Sequence, residues 1–217
     1  MRFLSALLAL ALPAFAQPVL AQPVLAQDVA GRFDYYLLSL SWSPSWCDAQ
    51  GRAQRSEQCE PARKLGFTVH GLWPQYENGW PEDCTTRARD PSRRETRDMA
   101  DIMGTSGLAW YQWKKHGRCS GLSAQDYFAL TRQATQAVAI PEILTRVGRD
   151  VTLPAKVIED AFLEANPDMT RDGITVTCRD RALQEVRICL TRDLQPRACA
   201  PDAARDCRGT MLLPAPE

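Results

Sequence analysis

Apolar positions in this chain gather into short blocks, and their spacing predicts the elements. Residues 34–42 are dense in aromatic and aliphatic side chains and run up to Pro44, which marks a strand. Residues 47–64 are polar and read as loop, and a short second strand is expected over residues 65–70. Residues 71–84 place Pro74, Gly79 and Pro81 among Trp73, Tyr76 and Trp80, the composition of a rigid loop in which Tyr76 and Trp80 serve as packing. Residues 85–98 read as a solvated loop, because Arg87, Arg89, Arg93, Arg94 and Arg97 are interleaved with Asp90, Glu95 and Asp98.

Three helices follow. The first is expected over residues 110–116, with Gly117 as its C-terminal stop. The second starts at Ser123, an N-cap with Asp126 three residues on, and carries Tyr127, Leu130, Ala134 and Val138 at helical spacing. The third covers residues 154–165, with Pro154 in its first turn and Val157, Ala161 and Phe162 on one face. Two strands, residues 174–178 and 185–190, close the chain with the alternation of half-buried sheet edges. Strands and helices interspersed this irregularly predict an α+β fold: one domain with a central, largely antiparallel sheet flanked by helices.

The N-terminus reads differently. Arg2 precedes an apolar run over residues 3–16, broken only by Ser5 and Pro13, and small residues follow at cleavage spacing. This is the pattern of a secretory signal peptide, too short to span a membrane stably. The segment from Gln17 to Ala21 recurs as Gln22 to Ala26, so several exits are possible. We assign residues 1–26 to the leader and residues 27–217 to the mature domain, starting near Gln27 or Asp28. All eight cysteines lie beyond the leader. An even count in an exported chain points to disulfides, and the lack of Cys-x-x-Cys argues against a zinc ribbon or thiol redox site. The count alone leaves the pairing open. Lys and Arg total 26 against 26 Asp and Glu. That balance excludes a protein gripping long nucleic acid through many phosphates, though not one that holds a few nucleotides at a local site.

Candidate chemistry rests on the only two histidines. His70 sits in FTVHGLWPQY and His116 in WYQWKKHGRC. Histidine is the side chain best suited to move protons near neutral pH. On a helix, residues three and four apart share a face, so Tyr111, Gln112, Lys115 and His116 are expected to form one polar patch. A lysine beside a histidine suits a phosphate centre, where fixed positive charge stabilises developing negative charge.

FTVHGLWPQY resembles the first active-site segment of the ribonuclease T2 family, and WYQWKKHGRC its second. YYLLSLSWSPSWC is similar to the family's first strand and LQEVRICL to its late strand, so the likeness runs from Asp34 to Cys207. The resemblance implies a disulfide-stabilised ribonuclease T2-like domain with pairs Cys47–Cys59, Cys84–Cys119, Cys178–Cys207 and Cys189–Cys199. It implies RNA cleavage by transphosphorylation, with His116 as general base, His70 as general acid, Lys115 stabilising the crowded phosphorus centre and Trp73 as a wall for a base. It calls for no metal or other cofactor. Its partner is RNA, met through a short local contact by a monomeric, periplasmic or secreted protein that keeps no membrane attachment once the leader is gone.

Two positions depart from the family pattern. Tyr111 stands where the family has a histidine and Gln112 where it has a glutamate. Tyrosine can still donate to phosphate, and glutamine can still orient His116, but it cannot accept a proton as a base. These changes leave open a non-catalytic RNA-binding or interaction protein on the same fold, and two histidines leave open a metal-dependent phosphoesterase. Retention of both histidines and of Lys115 favours the metal-independent enzyme.

Overall fold

A computed structural model of the chain describes residues 28–216. The leader expected over residues 1–26 lies outside them. The elements run β1 Tyr35–Trp42, α1 Ser43–Trp46, β2 Phe67–Gln75, α2 Arg93–Asp98, α3 Ala100–Met103, α4 Ser106–Lys115, α5 Ala124–Gln136, α6 Glu142–Thr145, β3 Val151–Pro154, α7 Ala155–Ala165, β4 Ile174–Arg179, β5 Ala182–Leu190 and β6 Thr210–Leu213.

The apolar density of β1 has a structural cause, since the strand is buried on both faces. Alternate residues Tyr36, Leu38, Leu40 and Trp42 enter the main core, while Tyr35 and Leu37 join a smaller cluster with Cys189, Ala200 and Ala203 on the other face. Antiparallel ladders join β1 to β2 and β5, and β5 also pairs with β4. β3 and β6 form a further antiparallel pair, tied to β5 by one parallel contact between Ala182 and Leu212. Helices close the main core through Trp113 of α4, Tyr127 and Ala134 of α5, and Ile158 and Phe162 of α7. The result is the single α+β domain with a largely antiparallel sheet that the pattern predicts.

Several boundaries differ from expectation. β2 does not stop at His70 but continues through Gly71 to Gln75. Among the described residues it is an edge strand, paired with β1 alone, so Pro74 is tolerated there. α4 starts earlier than expected, at Ser106, where the Thr105 hydroxyl caps the Leu108 N–H. It ends at Lys115, with His116 as its C-cap. Gly117 opens a 3-10 turn that stops at Gly121, where φ is 78°. The segment read as a solvated loop contains α2, opened by a capping box between Ser92 and Glu95. The face of α7 is offset: Val157 is exposed, and Ala155, Ile158 and Phe162 are buried, with Pro154 as N-cap. β5 is an interior strand rather than a half-buried edge.

All four disulfides implied by the resemblance are present. Cys178–Cys207 and Cys189–Cys199 fasten the C-terminal loop to β4 and β5. Cys84–Cys119 ties the loop after β2 to the turn after α4. No helix among the described residues is long and apolar enough to cross a membrane.

Candidate active site

His70 lies at a break in the ladder between β1 and β2. Ser39 faces Gly71 and Leu40 faces Val69, so His70 is the extra residue of a bulge. A bulge bends its strand and re-aims the side chain. The ring of His70 reaches across β1 to β5, where its Nδ1 lies 2.5 Å from Oε1 of Glu185. Glu185 is 1 % exposed. Its other oxygen takes Arg187 through Nε at 2.8 Å and Nη2 at 2.7 Å. Burial alone would raise the Glu185 carboxyl. The hydrogen bond and charge of His70, with those of Arg187, outweigh it and hold the group down at about 2. An ionised carboxylate only accepts, so the hydrogen between the two belongs to Nδ1, and Nε2 is the nitrogen left for other chemistry.

His116 approaches from the end of α4. Its backbone N–H completes the last helical bond, to Gln112 O at 2.9 Å. The side chain is almost wholly buried, and its Nδ1 has no hydrogen-bond partner among the described residues. Burial, and then the positive charges of Lys115 and His70, push its pKa from 6.5 down to about 3, with Glu82 opposing. His116 is therefore neutral at pH 7.

Trp73 joins the two histidines. Its ring centre is 5.1 Å from that of His70, edge to face, and 5.1 Å from that of His116 at a tilt of 31°. The indole N–H donates to Gln112 Oε1 at 2.7 Å. Gly71 makes room for this bond, because a Cβ there would fall 2.3 Å from Trp73 Nε1 and 2.4 Å from Gln112 Oε1. The Arg187 guanidinium lies 5.5 Å from the Trp73 ring.

The expected polar patch on α4 divides. Gln112 and His116 are buried against Trp73, whereas Tyr111 is exposed and Lys115 half-exposed on the open side. Lys115 Nζ is 3.2 Å from Glu82 Oε2, which also accepts the Trp80 N–H at 3.3 Å. That loop is held to the helix end by a 2.8 Å bond from the Asp83 N–H to the Lys115 carbonyl and by the Cys84–Cys119 bridge. Tyr76 packs partly against the core and bonds Asp28, as expected of a loop residue. Trp80 does not: it is 54 % exposed beside the Glu82–Lys115 pair. A pocket of about 470 Å³ opens beside His70, lined in part by Ser41, Thr68, Thr105, Leu108 and Gln184.

The site also includes Glu185, Arg187 and Glu82, which the sequence reading did not single out. A signal existed for the first two. Glu185, Arg187 and Cys189 share one face of β5, and a buried strand carrying opposite charges two residues apart among apolar neighbours has a reason to do so. Glu82 gives no such signal, since only the fold carries it to Lys115.

Residues 33–199 match the model of the Ribonuclease T2 family, and the chain belongs to that family. It is 39 % identical over 168 residues to a ribonuclease of Aeromonas hydrophila, covering 76 % of this chain and 74 % of that one. Among solved structures it is similar to trichomaglin, described as an S-like ribonuclease, with a TM-score of 0.68 and 22 % identity over 86 % of this chain and 100 % of that one. It is also similar to RNase NT in complex with 5′-AMP, with a TM-score of 0.60 and 23 % identity over 83 % of this chain and 97 % of that one. The chain is a T2-type endoribonuclease.

Proposed function

We propose that the protein cleaves single-stranded RNA without a metal, using His116 as general base and His70 as general acid. The supporting observation is electrostatic. Both imidazoles contact one indole, yet His70 sits against a buried carboxylate while His116 is desolvated beside an ammonium group. Acid–base catalysis needs such a pair, one ring neutral and the other protonated at the same pH.

In the proposed reaction His116 takes the proton of the 2′-OH, whose oxygen attacks the adjacent phosphorus. His70 gives its Nε2 proton to the departing 5′ oxygen. The products are a 2′,3′-cyclic phosphate and a free 5′-OH. Lys115 offers positive charge to the crowded phosphorus centre once phosphate displaces Glu82 from it. Gln112 holds Trp73, which forms a wall of the site, and Tyr111 stands at its exposed rim, able to donate to a phosphate oxygen. The 5′-AMP bound by a structural neighbour fits a site built for nucleotides. The expected leader and four disulfides suit a periplasmic or secreted enzyme, since such bonds persist in oxidising compartments.

The test is incubation with homopolymers in EDTA followed by end-group analysis. Cyclic-phosphate ends should appear from RNA and not from DNA, which lacks the attacking hydroxyl. His116→Ala should stop their formation. RNA left intact, or cleavage that EDTA abolishes, would refute the mechanism.

A further inference from the structure

We infer that Glu185 is a positioning residue for His70: it fixes the ring's tautomer and aims Nε2–H at the leaving oxygen. This rests on the reading of His70 as the general acid. The geometry separates the role from that of an ordinary structural ion pair. Arg187 satisfies only Oε2, and Oε1 has His70 as its hydrogen-bond partner. A carboxylate buried solely to bind Arg187 would not need the histidine. Arg187 in turn keeps Glu185 fixed and charged, and it does so from the same strand two residues on, where the spacing of β5 turns both side chains to one face. The bulge at His70 completes the arrangement, because a regular ladder would not set an unopposed residue at that point of the sheet edge.

During cleavage the His70 Nε2 proton passes to O5′ as the P–O5′ bond breaks. The ring is left neutral, with its remaining hydrogen on Nδ1 and still bonded to Glu185. His116 meanwhile carries the proton from the 2′-OH, so the proton count balances. If Glu185 were lost, the ring could turn or carry its hydrogen on the wrong nitrogen, and protonation of the leaving group would suffer. Attack by the 2′ oxygen would not.

The experiment compares two substrates that share a nucleoside 3′-phosphate. One is a dinucleoside phosphate, whose 5′ alkoxide must be protonated to leave. The other is the 4-nitrophenyl ester, whose phenolate leaves unprotonated. For Glu185→Gln in the full protein we expect kcat/KM to fall about 100-fold on the dinucleotide, in the range of general acid catalysis, and less than about 5-fold on the ester. Glu185→Asp, which keeps the charge, should lie between this variant and wild type and gives the same comparison if the glutamine variant does not fold. His70→Ala serves as the control. If His70→Ala depends on the leaving group but the Glu185 variants lose activity equally on both substrates, Glu185 has only a structural role and the inference falls. If His70→Ala itself loses equally on both, the assignment of His70 as acid is what fails.

Discussion

Replacing His116 with glutamine should remove a pH-dependent cost of folding. In the unfolded chain this imidazole titrates near 6.5. In the fold it is held at about 3 by burial and by the charges of Lys115 and His70. Between those values the unfolded chain binds more protons than the native one, so native stability falls as the pH drops through that window. From pH 7 to pH 4 the fall amounts to about 1.4 kcal/mol per pH unit over an effective span of about 2.3 units, or about 3 kcal/mol. For a domain of this size that corresponds to about 6–12 °C in Tm. The assay is urea or thermal unfolding of wild type and His116→Gln at pH 7 and pH 4. The decisive quantity is the difference between the two pH intervals. It cancels any change in packing, and it cancels titrations such as that of Glu185 that both proteins share. Wild type should lose about 3 kcal/mol more than the variant. Equal losses would refute the account of a neutral, desolvated His116, and with it the physical basis for calling it the base.

Gly71→Ala should cut kcat/KM more than about 10-fold with both histidines intact, because the new methyl group must part Trp73 from Gln112; an unchanged rate would show that this bond is dispensable. Gln112→Glu sets a carboxylate beside His116, which favours the charged imidazole. The acid limb of the kcat/KM profile should therefore move to higher pH, and an unchanged profile would show that position 112 does not tune the protonation of His116. Breaking Cys84–Cys119 by alanine substitution should cost about 3–4 kcal/mol from the entropy of its 35-residue separation, measured by urea unfolding, and should lower activity beyond the loss of folded protein because Glu82 and Lys115 then move independently. N-terminal sequencing of the exported protein should find Gln27 or Asp28 first; a chain starting at Met1 would refute the leader.

Much of the fold was legible because its elements carry local signals. Ser123 caps α5 as its sequence predicts, and the two-faced burial of β1 explains its unbroken apolar run. The misplaced boundaries have physical reasons. Pro74 suggested a loop, yet the edge of a sheet requires no N–H there. Gly117 suggested a helix stop, yet the chain needs a glycine at that point because a Cβ would lie 2.7 Å from Trp113 and 2.8 Å from Tyr127. Ser92 and Glu95 held a readable capping box within a segment whose mixed charges masked it. At the site, both histidines, Lys115, Trp73 and Gln112 could be found because they sit in two contiguous motifs. Glu185 and Glu82 reach those motifs only through strand pairing and loop closure, 115 residues from His70 in one case.

The bulge at His70 also divides the chain into parts that can and cannot change length. Strand side chains alternate faces, so one residue gained or lost between Phe67 and His70 would swap the imidazole with Val69, burying a polar ring in the core and setting an aliphatic group in the cleft. Beyond Gln75 that arithmetic no longer holds. The segment carrying Trp80 and Glu82 is held by separate point contacts, Gly79 N–H to Asp202, Asp83 N–H to Lys115 and the Cys84–Cys119 bridge, rather than by a strand register, so a change of length there would leave the proton-transfer pair in place.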